Sequence, residues 1–148
     1  MGNDYLFGHI LAREFFMITK EADYCIRTVL HLSRPEQRHQ PVPVEQLARE
    51  MDIPVPFLRR ILAQLIEAGI VTSHRGRNGG LVLNGDPAGI SLLDILRLAD
   101  DKGILLNRCL AKDGCCTRRE NCTVHCAMHK VQTVLEEQLQ SITFDQLI

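Results

Sequence analysis

Within eighteen residues the chain carries Cys109, Cys115, Cys116, Cys122, His125 and Cys126, set among Lys, Asp, Gly, Arg and Asn. Structural cysteines pack as small hydrophobes at helical or alternating spacing, and these do not. Unused surface thiols would be oxidation liabilities, so bound metal or redox chemistry explains the clustering better. Structural zinc draws closely paired ligands such as C-x2-C. Here five residues separate Cys109 from Cys115 and Cys116 from Cys122, and only Cys122-x2-His125 and Cys122-x3-Cys126 have zinc-like spacing. Wide loops wrap a larger group more readily than a single ion, which favours an iron–sulfur cluster, with zinc or a thiol switch as the alternative. Cys122, His125 and Cys126 fall within about 100° of one helical face. Cys122 sits where the start of that helix favours a thiolate.

A second group of residues offers positive charge. The net charge is −1, yet positions 54–80 hold Arg59, Arg60, Arg75 and Arg77 against Glu67 alone, with His74 beside them. Phosphate recognition needs local charge on one face rather than a basic whole protein.

The elements that position these groups are legible from periodicity. Ala22, Ile26, Val29, Leu30 and Ser33 recur at helical spacing over 20–33, with Thr19 as N-cap, and Arg34-Pro35 ends the helix. A short helix over 44–51 buries Val44, Leu47, Ala48 and Met51. After a turn at Asp52-Ile53-Pro54, a longer helix carries Phe57, Leu58, Ile61, Leu62, Leu65 and Ile66 and stops at Gly69. This is the helix-turn-helix pattern, whose second helix enters the major groove. The runs IVTSH and LVLN flank RGRNGG and form a hairpin, with Asn78-Gly79 and Gly79-Gly80 expected to supply the positive φ of its turn. That hairpin is a wing with arginines at its tip. Ser91 and Asp94 form a capping box for a helix over 91–100. From Thr123 onward, Met128, Val131, Leu135, Leu139 and Ile142 form a stripe at spacings of three, four, four and three. Such a stripe packs on its own domain or on the same helix of a second subunit; two-fold pairing is favoured and matches a palindromic DNA site.

Composition sets the class. Hydrophobic residues make up 45% and charged residues 24%, ordinary for a globular chain, and no apolar run is long enough to span a membrane. The first sixteen residues lack a basic n-region and a cleavage site, and Leu6 stands where myristoylation needs Ser or Thr. A cytoplasmic protein is expected, in which six cysteines are not a disulfide framework. Cofactor fingerprints, catalytic dyads and nucleophile elbows are absent, so an enzyme is not expected.

The segments MITKEADYCIRTVLHLS, IPVPFLRRILAQLIEAGIV and HRGRNGGLVL, with the cysteine loop followed by SITFDQLI, resemble the Rrf2 family of winged-helix regulators over residues 17–148. The resemblance implies a homodimeric repressor, controlled by an iron–sulfur cluster that senses redox state, nitric oxide or cluster supply. Cys109, Cys115 or Cys116, and Cys122 would be the thiolate ligands. The vicinal pair offers two readings, x5 then x6 or x6 then x5. In IscR-type members the fourth ligand matches His125 and goes with [2Fe–2S]. In NsrR-type members it matches Asp23, reaching the partner subunit's cluster, and goes with [4Fe–4S]. The first is preferred. Cys126 has no usual family counterpart, and Cys25 is expected in the core. The expected architecture is mainly α with a small β-hairpin. It divides into an N-terminal extension (1–16), a winged helix-turn-helix DNA-binding domain (17–100), a cysteine-rich cluster-binding loop (101–124), and a dimerisation helix with its tail (125–148). Phe57, Arg59, Arg60, Arg75 and Arg77 are the expected contacts to double-stranded DNA. The rival readings are a zinc- or thiol-switch regulator and a winged-helix protein–protein docking module.

Overall fold

The computed structural model describes residues 18–100, 104–111 and 116–148; the extension over 1–16 and Cys115 lie outside the described residues. Helix α1 (Lys20–Ser33) starts where Thr19 Oγ1 accepts from the Ala22 N–H (3.2 Å), a cap worth about 1 kcal/mol. It ends at Arg34, held in extended backbone by the proline that follows. Its buried face, with Cys25, Val29 and Leu32, lies in the main core.

Helices α2 (Val44–Met51) and α3 (Val55–Glu67) form the helix-turn-helix. The turn between them requires a left-handed residue, Asp52 (φ 53°), one of the few types that tolerate it. Leu47, Leu58, Ile61 and Leu65 are buried beneath it. At the end of α3, Gly69 (φ 73°) lets its own N–H donate to Ile66 O (3.0 Å) and that of Ile70 to Leu65 O (2.9 Å), closing the last turn.

The wing is strand β1 (Val71–His74) paired antiparallel with β2 (Gly80–Leu83), Val71 opposite Leu83 and His74 opposite Gly80. The left-handed residue of its turn is Gly76 (φ 116°), and neither Gly79 nor Gly80 has a positive φ. This corrects the expectation that those two glycines bend the chain. They are required for space instead: a Cβ on Gly79 would lie 2.3 Å from His74 O, and one on Gly80 2.6 Å from Val42 O. The second approach exists because Val42 pairs with Leu81, each donating its N–H to the other's carbonyl.

Helix α4 (Leu92–Ala99) opens on a complete capping box. The Asp94 N–H donates to Ser91 Oγ (3.1 Å) and the Ser91 N–H to Asp94 Oδ2 (2.9 Å). Helix α5 (Thr123–Ser141) packs along α4. Leu135 and Leu139 reach a second apolar cluster of Ala22, Leu96 and Ile104. The chain then turns back: Leu92 N–H donates to Ile142 O (2.9 Å), Phe144 N–H donates to Ile90 O (3.0 Å), and Phe144 is fully buried in the main core. The C-terminal tail thus completes the winged domain. The fold is mainly α-helical with one small antiparallel hairpin among the described residues. No described helix is long and apolar enough to cross a membrane.

Candidate DNA-binding face and cysteine loop

Helix α3 presents Phe57, Arg59 and Arg60 to solvent. The two arginines are not equivalent. Arg60 turns toward α1, where its guanidinium meets Glu21 Oε2 (2.9 Å) and stacks over the Phe57 ring (5.4 Å). It joins Tyr24, Phe57, Glu21 and Leu98 in the wall of a cleft of about 730 Å³ between α1, α3 and the end of α4. Arg59 turns toward α2, 3.6 Å from Glu45, with both side chains about two-thirds exposed. Arg75 and Arg77 are exposed at the wing tip. The Glu21 pairing has no signal in the sequence. Thirty-nine positions separate it from Arg60, and only the packing of α1 on α3 joins them.

The cysteine loop follows α4 in the chain and leads into the start of α5. Cys109 stands in a 3-10 turn (Arg108–Leu110) packed on α5, its N–H donating to Asn107 Oδ1 (3.4 Å). Cys116 and Cys122 flank a second such turn (Arg119–Asn121). Cys122 is the N-cap of α5, and its sulfur accepts from the His125 N–H (3.4 Å). Cys109, Cys116, Cys122 and His125 are each half-buried, and His125 Nδ1 is buried without a hydrogen-bond partner. Cys126 is exposed one turn further on, and every described cysteine is free. Among the described residues no three His, Cys, Asp or Glu side chains converge closely enough to hold one metal ion.

The remaining expected ligand, Asp23, lies on α1 and pairs with Arg27 (2.6 Å). Two positions on, Cys25 is fully buried, and burial, with Glu21 adding, pushes its thiol up to about 12. It is an inert core residue.

The C-terminal stripe divides between two faces. Leu135 and Leu139 point into their own domain, Met128 and Ile142 are half-buried, and Val131 is exposed. Val124 and Val134, which lie outside that stripe in the sequence, join Val131 as side chains more than half exposed on the outer face of α5. The inner face also holds Gln132, the buried residue of α5.

Residues 18–148 match the model of the Rrf2 family, described as iron-dependent transcriptional regulators. The chain belongs to the Rrf2 family. It is 28% identical over 131 residues to protein aau3 of Rhizobium meliloti, covering 88% of this chain and 84% of that protein. It is 25% identical to the HTH-type transcriptional regulator IscR of Xenorhabdus nematophila, covering 88% and 78%. Among solved structures it is similar to T. potens IscR, with a TM-score of 0.69, 25% identity, and 90% and 87% of the two chains covered. The Rrf2 chain is therefore a winged-helix protein of a family of DNA-binding transcriptional regulators.

Proposed function

We propose that this Rrf2 protein is a cytoplasmic, homodimeric repressor whose grip on a palindromic operator is controlled by an iron–sulfur cluster held in the cysteine loop. The observation that carries the cluster reading is the donor set at the start of α5. Cys122 caps the helix three residues before His125, whose Nδ1 is buried without a partner, and Cys109 and Cys116 are further half-buried free thiols of the same loop, residue types whose chemistry suits iron–sulfur ligation. Cys109, Cys115 or Cys116, and Cys122 would supply the thiolates. His125 is preferred as fourth ligand, with [2Fe–2S]; Asp23, already engaged by Arg27, is the alternative, with [4Fe–4S]. When bound, the group would supply a centre that reacts with oxidants and nitric oxide.

On the DNA side, α3 lies in the major groove with Arg59 and Phe57 toward the bases, while Arg75 and Arg77 reach phosphates or the minor groove. Arg60 acts chiefly within the fold, because Glu21 and Phe57 already occupy it. The outer face of α5 pairs with its copy through Val124, Val131 and Val134, so that two recognition helices meet two half-sites.

The test is protein purified without oxygen. It is expected to be coloured and to hold nearly equal iron and acid-labile sulfide. Cys109→Ser and Cys122→Ser each abolish the colour, whereas Cys115→Ser and Cys116→Ser are each partly tolerated. His125→Ala alters the spectrum if His125 is the ligand, and Asp23→Ala does so if Asp23 is. Colourless protein holding stoichiometric zinc through the same cysteines would replace the redox reading with a zinc one.

A further inference from the structure

Helix α5 buries Gln132, which is 6% exposed. An amide in that position is costly unless its groups are satisfied. Its Oε1 accepts from the Leu106 N–H (3.0 Å), and its Nε2 donates to Ile104 O (2.6 Å) and to Glu136 Oε1 (2.7 Å). The side chain thus grips the loop backbone on both sides of one residue, as a neighbouring strand would. Three positions beyond Leu106 is Cys109, whose turn also packs on α5. Seven positions before Gln132, two helical turns away on the same face, is His125. The one side chain therefore sets the Cys109 segment against the helix that carries Cys122 and His125.

The chain of contacts continues away from the loop. Glu136 Oε2 accepts from Arg97 Nη2 of α4 (2.8 Å). Ile104 is buried against Ala22 of α1 and Leu96 of α4. Both α1 and α4 pack on α3.

We propose that Gln132 is the positioning residue that couples the cysteine loop to the winged domain, with Glu136 and Arg97 carrying a displacement of residues 104–106 to α4. This rests on the cluster reading above. A loop held only by apolar contact could slide along α5, whereas two directed hydrogen bonds from one amide to the loop backbone fix its register, and the third, to Glu136, holds the amide in place.

The test compares parent, Gln132→Leu and Arg97→Ala by two readouts. In the apo protein, amide exchange at Leu106 is expected to accelerate on the order of ten-fold in Gln132→Leu and to stay at the parent rate in Arg97→Ala. For duplex DNA, the ratio of affinities between cluster-loaded and apo protein, expected at about five-fold or more in the parent, falls to within about two-fold in both variants. Apo affinity is meanwhile retained. A merely structural role would lower both affinities together and leave the ratio unchanged, and that result, or unchanged Leu106 exchange in Gln132→Leu, overturns the proposal. Arg97 is half exposed, so its variant keeps the ratio measurable should Gln132→Leu not fold. Parent protein without iron and sulfide would sink the cluster reading, while the exchange arm still decides whether Gln132 holds the loop.

Discussion

His31 is sealed between α1 and α2, with Nε2 3.1 Å from Glu50 Oε2 but off the line of a hydrogen bond, and Nδ1 also unpartnered. Burial lowers its pKa; Glu50 and Glu36 pull upward and Arg34 downward, but burial is the largest cause. The folded protein therefore favours the neutral ring, while the unfolded chain takes up a proton from about 6.5 downward. Its contribution to stability is present above that pH and is lost as the pH falls. Urea midpoints are expected to drop between about pH 7.5 and pH 5.5, with a smaller drop in His31→Leu; an equal drop in both would place the acid sensitivity elsewhere. At the DNA face, Arg75→Ala with Arg77→Ala should weaken binding across all sequences and reduce the salt slope by about one for each phosphate the wing no longer neutralises. Binding as tight as the parent would remove the wing from the interface. The residue types for this chemistry were legible in the sequence, but their division of labour was not. Arg59 and Arg60 are neighbours, and only the fold shows that Glu21 on α1 takes one of them.

Most element boundaries could be read from caps and breakers, because those signals are local: Thr19 for α1, Ser91 with Asp94 for α4, and Gly69 for the end of α3. What required the third dimension was which face of an element meets what. The stripe on α5 mixed two faces, since Val131 and Leu135 are one turn apart yet the first is exposed and the second meets Ile104. The wing glycines likewise answer to the backbone of Val42 and His74, an approach that no spacing rule encodes. Val131→Glu with Val134→Glu should give a folded monomer in sedimentation, because both side chains are on the outer face and a buried unpaired charge at a helix seam costs several kcal/mol, roughly. An intact dimer would move the interface off α5. Phe144→Ala should cost about 3–5 kcal/mol, read as a lower urea midpoint. Its ring fills the winged-domain core from the far end of the chain, and an unchanged midpoint would show the tail to be dispensable.

For the molecule as a whole, the cysteine loop, α5 and the tail are built into one body with the winged domain. Phe144 anchors the tail beneath α1, Leu135 and Leu139 seat α5 on α1 and α4, and Gln132 binds the loop to α5. A change at the loop consequently reaches α4 and the recognition helix through packed and hydrogen-bonded neighbours, the kind of route by which one site biases another. The central claim is that the occupant of the cysteine loop sets DNA affinity. It is tested most directly by titrating one operator duplex, at one salt concentration and without oxygen, against the same preparation before and after its iron is removed by chelation. The two dissociation constants are expected to differ by about five-fold or more, with Cys122→Ser protein binding like the chelated form; equal constants for the iron-loaded and iron-free protein would contradict the claim.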